Sequence, residues 1–102
     1  MICLYDKFEN YIPITTCIKQ RSNGDFLIVM SEKTDIYYLN DTARFIYENI
    51  DGVATISVLF NKMKNEYNFG DIPMEAIKKD FVELIRDFQW QGIIKLKEEQ
   101  KQ

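Results

Sequence analysis

The 102-residue sequence contains no histidine, which removes the commonest near-neutral general base and the commonest metal ligand. Its two cysteines, Cys3 and Cys17, are too few for a metal cage or a disulfide-dense scaffold, and they lack the C-x-x-C spacing of a redox pair. We read both as idle thiols. Basic residues are not in excess: 13 Lys and Arg against 16 Asp and Glu leave a net charge of -3. A nucleic-acid binder usually carries the opposite sign, because neutralising phosphate supplies much of its affinity. No apolar run approaches the roughly 20 residues of a membrane span, and the N-terminus has no basic segment followed by an apolar one. Asp71, Glu75 and Asp80 read as solvated helix carboxylates rather than a metal site. There is no nucleophile–base pair, Gly-rich phosphate loop or paired-carboxylate constellation. The expectation is a cytoplasmic domain, without metal or cofactor, that is not an enzyme by itself.

What is present is an ordinary folding composition, 46% apolar and 14% aromatic, enough for one domain with a core and too short for two. We place that domain at residues 1–96 and a frayed polar tail at residues 97–102. Strands come first. The β-branched run Ile14 to Gln20 follows Pro13, Ser22 to Asp25 forms a turn, and Phe26 to Met30 reads as a second strand. After the polar connection Ser31 to Asp35, Ile36 to Leu39 reads as a third, completing an antiparallel meander.

Helical spacing takes over at Asn40 or Asp41, either of which can cap the first helix, and Asp51-Gly52 closes it. Thr55 or Ser57 opens a second helix that carries Ile56, Leu59, Phe60 and Met63 toward Tyr67. The third helix runs from Met74 to Gln91 and Gly92 ends it, with Pro73 suited to the first turn. Ile93 to Leu96 is then either an extra strand or an apolar latch.

At about 100° per residue, Ile77, Phe81, Leu84 and Phe88 of the third helix share a sector of roughly 60°, the expected core stripe. Ile85, Lys78, Gln89 and Val82 continue around one flank, bordered by Arg86 and Lys79, while Glu83, Asp87 and Asp80 face away. The bland reading is a broad amphipathic helix with solvated charges. The sharper one is a flank that borders a groove for an apolar ligand with negative charge at its edge. The third strand fits that groove, because Tyr37 and Leu39 make one face apolar and Ile36 and Tyr38 the other. At a sheet edge such a strand can accept another from a peptide.

The string from Tyr38-Leu39-Asn40-Asp41-Thr42-Ala43 to Ile50-Asp51-Gly52 resembles the LN-x-TA…DG signature of the PqqD family. Asp80-Phe81, Leu84-Ile85, Phe88 and Gly92-Ile93-Ile94 resemble its closing pattern, and the likeness covers Ile14 to Ile94. Phe81, Phe88 and Trp90 are bulkier than the family usually shows. The resemblance implies a winged-helix-like α+β domain, a three-stranded antiparallel sheet followed by three helices. It also implies a function: holding the leader of a ribosomally made precursor peptide as an added strand between the third strand and third helix. The leader would then pass to a modifying enzyme, a radical SAM protein or a leader peptidase.

Carried onto this chain, the resemblance makes Ile36, Tyr37, Tyr38 and Leu39 the receiving strand. Lys78, Val82, Ile85 and Gln89 become the groove wall, with Lys79 and Arg86 available to leader carboxylates. The expected partners are that leader and that enzyme, without nucleic acid or membrane, in a monomer or weak homodimer. The rival functions are a winged-helix DNA-binding regulator and a non-catalytic subunit of an enzyme complex. A DNA reader needs a basic exposed recognition helix, and the second helix offers only Lys62 and Lys64 beside Glu66.

Overall fold

The computed structural model describes residues 4–39 and 41–98. A short helix α1 (Leu4–Phe8) leads into four strands, β1 (Tyr11–Thr15), β2 (Lys19–Asn23), β3 (Phe26–Met30) and β4 (Ile36–Leu39). Three helices follow, α2 (Asp41–Glu48), α3 (Ile56–Glu66) and α4 (Met74–Gln91), and then the closing strand β5 (Ile94–Glu98). Strands β2, β3 and β4 form an antiparallel sheet in that order, so the α+β arrangement of a three-stranded sheet followed by three helices is present.

The β2–β3 hairpin turns on Gly24-Asp25, with Gly24 at a φ of 62° at its first central position, where short hairpins favour glycine. Arg44 of α2 clamps the hairpin from behind: its guanidinium donates to the Gly24 carbonyl at 2.9 Å and to Ser22 Oγ at 2.7 Å. Thr55 caps α3 by accepting from the Val58 amide. Ahead of it, the Asp51 carboxylate accepts from the amides of Val53 and Ala54, and those bonds lower its pKa. Gly92 ends α4 in the left-handed region at a φ of 76°.

The N-terminal third departs from expectation. The run Ile14 to Gln20 is not one strand: β1 ends at Thr15 and β2 starts at Lys19. Thr16 is held between them, its amide donating to the Ile93 carbonyl at 2.9 Å and its hydroxyl to the Gly92 carbonyl at 3.1 Å. β1 joins a second sheet with β5, in register from Tyr11 opposite Glu98 to Thr15 opposite Ile94. Ile93 to Leu96 therefore leads into a true strand, and Lys97 and Glu98 are paired rather than frayed. The candidate cap Asn40, Cys3 and the tail beyond Glu98 lie outside the described residues.

The α4 core stripe is also displaced. Ile77, Phe81 and Phe88 are buried as expected, but Leu84 is half-exposed, while Val82 and Ile85 are each only 3% exposed. The cause is α1 and β5, which pack against α4 and which helical spacing alone does not foresee. The Tyr5 ring of α1 packs tilted against Phe60 at 5.1 Å, Phe60 meets Phe81 at 5.3 Å, and Lys78 Nζ sits 4.8 Å from the centre of the Tyr5 ring.

Tyr47 joins α2 to the end of α4. Its ring meets Phe88 edge-on at 5.7 Å and its hydroxyl donates to the Ile93 carbonyl at 3.3 Å. Burial pushes its pKa far above the ordinary tyrosine range, so the folded chain holds this proton more tightly than the unfolded one. That contribution to stability is complete below about pH 10 and is lost as pH rises beyond it. We expect Tyr47→Phe to cost about 1 kcal/mol at neutral pH and to flatten the alkaline fall in urea midpoint. A variant whose alkaline fall parallels the parent's would contradict this assignment.

Candidate functional site

The two edges of the three-stranded sheet differ in chemistry. β2 reads Lys19-Gln20-Arg21-Ser22-Asn23 and is exposed throughout, a polar and charged edge of the kind that discourages pairing. β4 reads Ile36-Tyr37-Tyr38-Leu39, carries no charge, and pairs only with β3 among the described strands.

The start of β4 is fixed by a buried serine. Ser31 Oγ accepts from the amides of Lys33 and Asp35, both at 3.3 Å, and Thr34 between them takes a φ of 66°. The Ser31 amide donates to the Asp35 carbonyl at 2.8 Å, in line with the β3–β4 register. Antiparallel ladders alternate bonded and non-bonded pairs. Counting from Ser31/Asp35, the bonded pairs are Val29/Tyr37 and Leu27/Leu39. Ile36 and Tyr38 therefore turn their N–H and C=O groups away from β3, to the open edge. Their side chains are 55% and 68% exposed, while Leu39 is buried and Tyr37 half-buried toward the core.

Helix α4 and its loop connections approach both ends of β4. At the start, Gly92 lies so near Ser31 that a Cβ on it would stand 3.8 Å from the serine Cβ. Beyond the far end, a cavity of about 320 Å³ opens among Thr42 and Ile46 of α2, Met63 of α3, the loop residues Phe69 and Ile72, and Ile77, Asp80, Phe81 and Leu84 of α4. Leu84, Asp80, Asp87 and Gln91 share a sector of about 60° on α4. Gln91 Oε1 in that sector is buried without a hydrogen-bond partner among the described residues. This flank lies opposite the one chosen from sequence.

The residues expected to form the site fall into three groups. Ile36, Tyr37, Tyr38 and Leu39 form the edge strand as a unit. Lys78 is turned onto Tyr5, and Val82 and Ile85 are spent in the core. Lys79, Arg86 and Gln89 are exposed, the latter two lining an open surface groove with Glu83, Asp87 and Trp90. Sequence reasoning passed over Leu84, Asp80, Thr42 and Gln91. The available signal was angular: Leu84 sits at the margin of the apolar sector, beside Asp80 and Gln91. Among the described residues, no group of three His, Cys, Asp or Glu could hold a metal ion, and no helix is long and apolar enough to cross a membrane.

A family model described as coenzyme PQQ synthesis protein D (PqqD) matches residues 26–94, which contain β3, β4 and all three long helices. No curated protein and no solved structure matches the chain.

The edge geometry makes a prediction that needs no ligand. In amide hydrogen exchange, Tyr37 and Leu39 should be protected, and Ile36 and Tyr38 should exchange faster by about tenfold or more. Equal protection of all four amides would contradict the phase assigned to the ladder.

Proposed function

The chain belongs to the PqqD family, and we propose that it captures the leader of a precursor peptide as a fourth strand on β4 and delivers it to a modifying enzyme. The observation that carries this reading is the uncharged β4 edge, with the backbone groups of Ile36 and Tyr38 open to a guest. Edge pairing gives affinity that tolerates sequence, and side-chain contacts give selectivity.

Magnitudes divide the work. Two N–H and two C=O groups bonding a guest contribute about 2–6 kcal/mol net, at 0.5–1.5 kcal/mol each. A delivery module that must release its cargo needs about 6.5–9 kcal/mol, or high-nanomolar to tens-of-micromolar dissociation constants. Ordering the guest raises the requirement further. Apolar anchoring must supply the remainder, and one buried side chain contributes about 1.5–3 kcal/mol. The cavity beside Leu84 is lined mainly by apolar residues and suits such an anchor, and Asp80 at its wall favours a cationic neighbour on the guest. Lys79 and Arg86 are exposed and suit carboxylates farther along the guest.

The DNA-binding alternative is less favoured: of the two lysines on α3, Lys64 lies 5.5 Å from the Phe60 ring centroid, and Lys62, though exposed, helps to lower the pKa of Asp51.

The test replaces one edge donor. Proline is tolerated in a strand where its missing N–H faces away from the ladder, so Tyr38→Pro should leave β3–β4 pairing intact. Titrated calorimetrically with the leader of the precursor encoded beside this chain, Tyr38→Pro should bind at least about tenfold more weakly than the parent. Unchanged affinity in a folded Tyr38→Pro, or no binding by the parent, would overturn the reading.

A further inference from the structure

On the face of the three-stranded sheet that points away from the helices, the described residues leave an apolar strip partly exposed. Cross-strand register puts Lys19 beside Met30 and Ile36, Arg21 beside Ile28 and Tyr38, and Phe26 beside Asn23. The opposite face holds Leu27, Val29 and Leu39, all buried under the helices. On the outer face Phe26 is 44% exposed, and its ring meets Tyr38 edge-on at 6.2 Å. An open cleft of about 500 Å³ runs along Ile28, Met30 and Ile36, bordered by Lys19, Gln20 and Arg21.

The charges there have one sign. Lys19 and Arg21 flank the apolar strip, the register positions on this face carry no Asp or Glu, and neither cation has an ion-pair partner among the described residues. We propose that this outer face docks a separate protein, the enzyme that acts on the delivered peptide, through an apolar patch edged with carboxylates. The proposal rests on the delivery reading and adds where the partner sits. A second copy is the poorer occupant, because each chain carries a net charge of -3. The arrangement keeps peptide and enzyme apart yet adjacent: the peptide takes the backbone edge of β4, the enzyme the side chains of Ile36 and Tyr38. Alternate side chains of an added strand continue the same outer face. Peptide and enzyme then each raise the other's affinity by one shared factor.

The experiment uses the full chain, the purified modifying enzyme encoded beside it and the leader peptide, with binding read by interferometry. Lys19→Glu/Arg21→Glu alters two exposed cations, and Phe26→Ser trims an exposed side chain of the same face on β3, away from the β4 edge. Each should weaken enzyme binding by about tenfold or more while leader affinity stays within about twofold. Parent binding to the enzyme should also weaken between about 50 and 300 mM salt.

Unchanged enzyme binding in both folded variants would overturn the proposal, as would a parent that does not bind the enzyme. Leader affinity falling in step with enzyme affinity would assign the face to the peptide and overturn it as well. So would light scattering that shows a dimer dispersed by the charge reversal. The leader titration of the parent alone tests the delivery reading, so failure of either claim is recognised separately.

Discussion

At the β4 edge of the three-stranded sheet, the backbone groups of Ile36 and Tyr38 have no strand partner among the described residues. A buried unpaired N–H or C=O is costly, and at a sheet edge the same groups remain tolerable because water reaches them. On β2 the exposure is guarded by Lys19 and Arg21. On β4 it is not: Ile36 and Tyr38 flank the open groups with apolar and aromatic surface, which disfavours leaving them wet. An extended peptide would satisfy that backbone, and this match sets the functional reading.

The remainder of the molecule holds this edge in position. Ser31 and Thr34 set where β4 begins, and Leu39 anchors its end in the core. The aromatic series Tyr5, Phe60 and Phe81, with Tyr47 against Phe88, fixes α4 relative to α2 and α3. α1 and β5 pack against α4, with Lys78 over the Tyr5 ring, and on the opposite flank Leu84 lines a cavity. The outer face of the sheet is a second surface, set at right angles to the edge. A carrier that keeps its cargo and its client enzyme on neighbouring surfaces can present one to the other without releasing it.

Features that depend on neighbours in sequence were readable from it. The third strand from Ile36 to Leu39, the bounds of α4 at Met74 and Gln91, and the left-handed Gly92 follow from local period, capping and backbone freedom. The pairing of β1 with β5 was not readable, since Tyr11 meets Glu98 across nearly the whole chain and neither segment alone signals the other. The same pairing explains why Ile14 to Gln20 breaks at Thr16, whose partners lie just beyond α4. For the site, periodicity correctly gave a cylinder with one broad apolar side. It could not say which margin another element would cover: Val82 and Ile85 are buried, and Leu84 lines a cavity. The outer face followed the same alternation that was applied to the third strand and was simply not extended to Phe26, Ile28 and Met30.

The most direct measurement is an isotope-edited NMR experiment on the complex of the labelled chain with unlabelled leader peptide. The account predicts cross-strand contacts from the amides of Ile36 and Tyr38 to the peptide backbone, together with side-chain contacts from the peptide to Leu84. Contacts confined to Arg86, Gln89 and Trp90, with the β4 amides unperturbed, would contradict it.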